Sequence, residues 1–82
     1  MQVVISHQAK KQFSKIPSVN QPKVKSRLEL LAQSPLAGKP LKGQLEGCYS
    51  LRCWPYRIIY QIDVKQHQIV VLAIIHRQGA YR

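Results

Sequence analysis

Three runs rich in β-branched and aromatic residues fill the last third of the sequence, at Cys48–Cys53, Arg57–Ile62 and Gln68–Arg77. Only Trp54-Pro55 and Asp63–His67 join them, and connections this short predict an antiparallel meander. Upstream the periodicity changes. Residues 2–5 read as a first strand, and Ser6 is a plausible N-cap for a helix over 7–15 that places Ala9, Phe13 and Ile16 on one face. Pro17-Ser18 breaks the chain, and a second helix follows over 20–33, with Pro22 tolerated in its first turn. The buried stripe of that helix is Val24, Leu28, Leu31 and Ala32. Residues 34–47 hold two prolines and three glycines and read as a loop from which Lys39 and Lys42 project. The order strand, helix, helix, then three strands predicts a single α+β domain over 1–82. Its small, twisted, mainly antiparallel sheet carries two helices packed on one face.

A chain of 82 residues buries only about 60–65% of its unfolded surface, so the core has to be compact. The apolar fraction of 45% is that of a globular protein and argues against disorder. Against this stands a net charge of +10, from 13 Lys+Arg and 3 Asp+Glu. Self-repulsion of that size is tolerable when an acidic partner neutralises it, with nucleic acid the first candidate and an acidic protein the second. A basic face making ~4–6 phosphate contacts would give a log–log salt slope of about −3 to −5. Cys48 and Cys53 sit on opposite faces by alternation, so no disulfide is expected, and the cysteines and histidines lack metal-ligand spacing. The apolar stretch at 1–6 is too short for a signal peptide or a membrane span. A soluble cytoplasmic protein without cofactor or metal is the expectation.

Arg52, Arg57 and Arg77 all lie in the strand-rich third, where guanidinium groups can be held at fixed distances around one anion. With Arg52 opposite Arg57, Ser50 faces Ile59 and Leu51 faces Ile58. With Ile62 opposite Gln68, Arg57 falls opposite Ala73. Arg52, Arg57, Ala73 and Arg77 then share a face with Ser50, Ile59 and Val71. His76 is the acid–base candidate beside the cluster, although alternation turns it away from Arg77. Tyr49 and Tyr60 fall on the helix side as core. Trp54 and Tyr56 lie near the tip of the arginine hairpin, placed for turn packing or for stacking on RNA.

The order of several segments resembles the RelE/ParE superfamily of bacterial toxins, in its RelE-like messenger-RNA interferase branch. They are Phe13-Ser14-Lys15-Ile16-Pro17, Pro40-Leu41-Lys42-Gly43, Tyr49-Ser50-Leu51-Arg52, Tyr56-Arg57-Ile58-Ile59-Tyr60-Gln61-Ile62, His76-Arg77 and Tyr81-Arg82. The resemblance implies a twisted sheet with two helices on one side and a basic active cleft on the other. It also implies cleavage of mRNA in the ribosomal A site, contact with ribosomal RNA, and a hetero-oligomer with a cognate acidic antitoxin. Carried over by position, Arg52, Arg57, Arg77 and Tyr81 match the residues of the cleft, and Lys39, Lys42 and Ser50 fall in its RNA-binding surroundings. Ser50 stands where some members have a lysine. The sequence ends at Arg82, so the expectation is a domain without the further C-terminal helix of some relatives.

In such a site the 2′-OH of RNA attacks the adjacent phosphate, leaving a 2′,3′-cyclic phosphate and a 5′-OH. Arginine keeps its proton in proteins and cannot be the base. Its part is to stabilise charge on the phosphorane oxygens. Tyr81 would stack on a base, orient the 2′-OH, or accept its proton if surrounding cations depress the phenol. Two alternatives remain open: a ParE-like non-nuclease inhibitor of DNA gyrase, and an inactive RNA- or partner-binding relative.

Overall fold

In the computed structural model, which describes residues 1–77, the chain alternates its structural periods as the sequence requires. Strand β1 (Gln2–Ile5) leads into helix α1 (His7–Ser14) and helix α2 (Gln21–Gln33). A short strand β2 (Lys39–Pro40) and a 3-10 turn (Gly43–Leu45) follow, then β3 (Tyr49–Cys53), β4 (Tyr56–Asp63) and β5 (Gln68–His76). The five strands form one mixed sheet in the order β1-β5-β4-β3-β2, giving the expected α+β architecture. The expected loop 34–47 contributes an edge strand of its own, since Lys39 pairs with Ser50 and Pro40 with Tyr49. Proline fits there because an edge strand needs no donor on its outer side. β1 and β5 run parallel, with both helices intervening along the chain.

Ser6 does cap α1. Its hydroxyl accepts from the Ala9 N–H at 3.1 Å and donates to the Leu72 carbonyl at 3.0 Å. Gln21, the first residue of α2, ties the end of α1 and the turn after it, its Nε2 donating to the Phe13 carbonyl at 3.4 Å and to the Ile16 carbonyl at 3.0 Å. The helices press Ala9, Ile16, Val24, Leu28 and Leu31 onto one face of the sheet, against Leu51, Cys53, Ile58, Tyr60, Ile69, Val71 and Ile74. Tyr60 is fully buried there, and Tyr49 stacks on it with ring centroids 5.4 Å apart. Cys48 and Cys53 are buried thiols without a disulfide. Among the described residues no helix is long and apolar enough to cross a membrane.

The register of β3 with β4 is as expected: Arg52 faces Arg57, Leu51 faces Ile58, and Ser50 faces Ile59. The register of β4 with β5 differs. Ile62 pairs with Ile69 and Arg57 with Ile75, so the expected partners Gln68 and Ala73 are displaced. Two steps cause this: β4 runs one residue further, so that Asp63 pairs with Gln68, and a bulge follows, because Tyr60 faces Val71 but Ile59 faces Ala73, which leaves Leu72 as an extra residue in β5. The first step turns Val71 to the helix-side core, opposite Tyr60 and away from the arginine face, and the bulge returns Ala73 to the arginine face, opposite Ile59 in place of Arg57. β1 pairs with β5 only as far as Val71. Beyond that point α1 takes over the vacated edge, with Gln12 Oε1 accepting from the Ile74 N–H at 2.7 Å.

Leu28 is 7% exposed and packs at the centre of the helix–sheet contact. Leu28→Ala is expected to cost about 2–5 kcal/mol through the cavity it leaves. A urea midpoint equal to that of the unsubstituted protein would contradict this placement.

Candidate nucleic-acid interface

Strand pairing builds the site. Residues directly opposite in an antiparallel pair share a face, so the Lys39–Ser50 and Arg52–Arg57 pairs stand together on the side away from the helices. Apolar residues alternate with them: Tyr49, Leu51 and Cys53 turn inward to the core, while Arg52 is exposed and Arg57 is partly buried. A cavity of about 770 Å³ opens here, bordered by Lys39, Ser50, Arg52, Arg57 and Trp54 and also by Arg27 of α2. None of its described lining residues is acidic. Four cations around one opening repel one another in the absence of an anion, and a phosphate oxygen is the ligand that reverses the sign.

The expected residues divide by position. Arg52, Arg57, Lys39 and Ser50 are brought together, with Ser50 buried at the cavity floor. Arg77 lies just past β5; its N–H donates to the Pro55 carbonyl at 2.8 Å. Its guanidinium sits 5.0 Å from the centre of the Trp54 ring, so it flanks the cavity through one of its walls. His76 does not join the cluster. It pairs with Tyr56, its ring meets the Tyr56 ring edge-on at 5.4 Å, and it borders a smaller cavity with Gln12, Lys15 and Ile16 on the helix side. Lys42 is exposed before the 3-10 turn and does not border the arginine cavity. Tyr81 lies outside the described residues.

Arg27 was not expected. It sits three residues after Val24 and four before Leu31, at the margin of the buried stripe of α2. β2 covers β3 only at Tyr49 and Ser50, and Arg27 borders the cavity from α2. The helical spacing carried that signal, but the short edge strand that makes it meaningful is invisible to periodicity.

Lys39 is held in place from the core. The Tyr60 hydroxyl donates to the Pro35 carbonyl at 2.7 Å and accepts from the Gly38 N–H at 3.0 Å. A side chain at Gly38 would put its Cβ 2.7 Å from the Tyr60 hydroxyl oxygen and 2.9 Å from the Ser50 carbonyl, so only glycine lets the loop approach this closely. Burial raises the Tyr60 phenol above its ordinary value; the Gly38 N–H partly opposes that, and neighbouring Tyr49 adds to it.

The model of a family described as the ParE toxin of the type II toxin–antitoxin system parDE matches residues 3–81. Toxin RelG of Mycobacterium tuberculosis is 42% identical over 53 residues, covering 63% of this chain and 61% of that protein. A chain in the crystal structure of the toxin–antitoxin complex RelBE2 from Mycobacterium tuberculosis superposes with a TM-score of 0.86 at 32% identity, covering 93% of this chain and 96% of that one. A chain of the intact E. coli RelBE toxin–antitoxin complex gives a TM-score of 0.76 at 25% identity over 89% of this chain and 92% of that one. The match to RelG thus spans less than two thirds of that relative's length.

Because the folded state holds the Tyr60 proton more tightly, stability is complete below the ordinary phenol value of about 10 and falls as pH rises beyond it. Tyr60→Phe is expected to remove that part of the alkaline decline. The variant should also lose about 1–3 kcal/mol at neutral pH by unpairing Gly38 and Pro35. Denaturant titrations across the alkaline range would show it, and parallel curves for the two proteins would speak against the anchor.

Proposed function

This chain belongs to the ParE toxin family of type II toxin–antitoxin systems, and from that premise we propose that it is a ribosome-dependent endoribonuclease that cuts messenger RNA. The observation that carries the reading is the shared cavity of Arg52, Arg57 and Lys39, three cations from three strands on one sheet face. Its similarity to Toxin RelG and to the toxin chains of the RelBE2 and RelBE complexes fits the RelE branch.

In this scheme the 2′-OH of a nucleotide attacks its own 3′-phosphate. The P–O5′ bond breaks, and the products are a 2′,3′-cyclic phosphate and a 5′-OH. Arg52 and Arg57 bind the non-bridging oxygens and stabilise the charge that accumulates as the phosphorane forms. Arg77, fixed beside Trp54, adds positive charge at the hairpin tip. Tyr81 is assigned to stacking or to orienting the 2′-OH. His76 has no part, because it stands on the helix side. The described residues lining the cavity include neither histidine nor carboxylate, so those residues supply charge and no strong proton acceptor. We assign dependence on the ribosome, which would hold the mRNA in a reactive geometry in the A site, and the weak acid–base capacity of those residues supports it.

Contacts to ribosomal RNA fall to the exposed lysines, Lys39 and Lys42 among them. An acidic cognate antitoxin would neutralise the same surface in a hetero-oligomer, and the work is assigned to the cytoplasm, where ribosomes are. A second reading, inhibition of DNA gyrase without nuclease activity, is favoured by the ParE description of the matching family.

Primer extension on a translated mRNA in cells expressing the protein separates the two. Codon-phased cuts are expected, reduced on the order of a hundredfold or more by Arg57→Ala or Arg52→Ala. The exposed Arg52 should be replaceable with a stability change within about 0.5 kcal/mol. Intact messages accompanied by DNA damage would replace the nuclease with the gyrase reading.

A further inference from the structure

Among the large hydrophobic side chains exposed in the described residues, Trp54 is the aromatic one. It is also the single tryptophan of the chain. The family resemblance assigns it nothing, because it falls between the matching segments that end at Arg52 and begin at Tyr56. Turn packing does not account for it either. Cys53 and Tyr56 pair at the last step of the hairpin and are both buried in the core, so Trp54 and Pro55 form the loop beyond it.

What holds the ring is a cation. The Arg77 guanidinium lies over it, 5.0 Å from its centre, and the Arg77 N–H donates to the Pro55 carbonyl at 2.8 Å. One guanidinium covers one face of an indole. Trp54 borders the cavity together with Arg52 and Arg57, whereas Arg77 is not among the described residues that line it. Trp54 follows Arg52 by two residues, which places their Cα atoms at most ~7 Å apart. A flat π-surface this close to a pair of guanidinium groups matches the two halves of a nucleotide, the base and the phosphate.

We propose that Trp54 is a base-stacking residue: the nucleobase next to the phosphate held by Arg52 and Arg57 lies on the indole face that Arg77 leaves open. The inference rests on the nuclease reading of the same cavity and adds the residue that orients the nucleotide about its phosphate. Every base has a π-face, so the platform supplies grip and orientation and not a code.

The test uses the full chain and a 2′-O-methyl hexaadenylate, which cannot be cleaved by its own 2′ oxygen. A second ligand has the same length and charge but carries no bases. With one tryptophan in the chain, the intrinsic fluorescence reports on Trp54 alone. The hexaadenylate is expected to quench it in a saturable way, and the base-free backbone to leave it nearly unchanged. By calorimetry at low salt the base-free ligand should bind about tenfold more weakly. Trp54→Leu, which keeps an apolar side chain without a π-face, should lose about the same factor for the hexaadenylate and no longer distinguish the two ligands. Trp54→Phe should retain most of the preference.

Equal affinity of the unsubstituted protein for both ligands overturns the stacking role, and that comparison needs no variant to fold. So does a folded Trp54→Leu that still prefers the hexaadenylate by the original factor. Base-dependent quenching upholds Trp54 even if no message is cut in cells. Conversely, cutting that needs Arg57, together with indifference to the bases, leaves the nuclease standing and removes the platform.

Discussion

The in-register pairing of Arg52 with Arg57 is the constraint around which this molecule is arranged. Like charges directly opposite on paired strands are destabilising, and nothing in the local propensity of the two strands favours them there. What holds the register is the other face, where Leu51 meets Ile58 and Tyr49 meets Tyr60 under the helices. A slip of one residue would expose that core and bury the guanidinium groups. Hydrophobic burial on one side of the sheet thus enforces electrostatic crowding on the other. Cations held side by side by a rigid scaffold would be preorganised for an anion, with little conformational change to oppose its arrival.

The same coupling extends to the rim. Tyr60, at the centre of the core, reaches through its hydroxyl to Pro35 and Gly38 and thereby places Lys39 at the cavity. Trp54 is 59% exposed at the hairpin tip, an unusual position for a large apolar ring, and Arg77 lies over it. On the far side of β5, Ser6 and Gln12 hold the strand after β1 has ended, so α1 steadies the segment that delivers Arg77. Core, helix and loop each carry one part of the basic face.

Much of the fold was legible in the sequence because its periodicities are clean where they matter. The two helical stripes, the Ser6 cap and the register of the arginine hairpin all follow from alternation and short connections. The bulge in β5 did not, because Ile69–Ile75 is apolar throughout and carries no period-2 contrast to register an extra residue. The signature appears only when burial is known: Val71 and Ile74, three apart, lie on the same side. Strand β2, two residues long and containing a proline, gives no strand signal at all. For the site, the shared face of Arg52 and Arg57 was readable from chemistry and register. The company of Arg27 and Lys39 and the departure of His76 required the tertiary structure.

Convergence of Arg52 and Arg57 on one anion is best examined by a solution titration of the protein with inorganic phosphate, following the side-chain Nε–H resonances of both arginines by ¹⁵N NMR. The two signals should move together and fit a single dissociation constant, with salt weakening both alike. Separate constants, or movement of one arginine without the other, would show that the two guanidinium groups do not share a ligand.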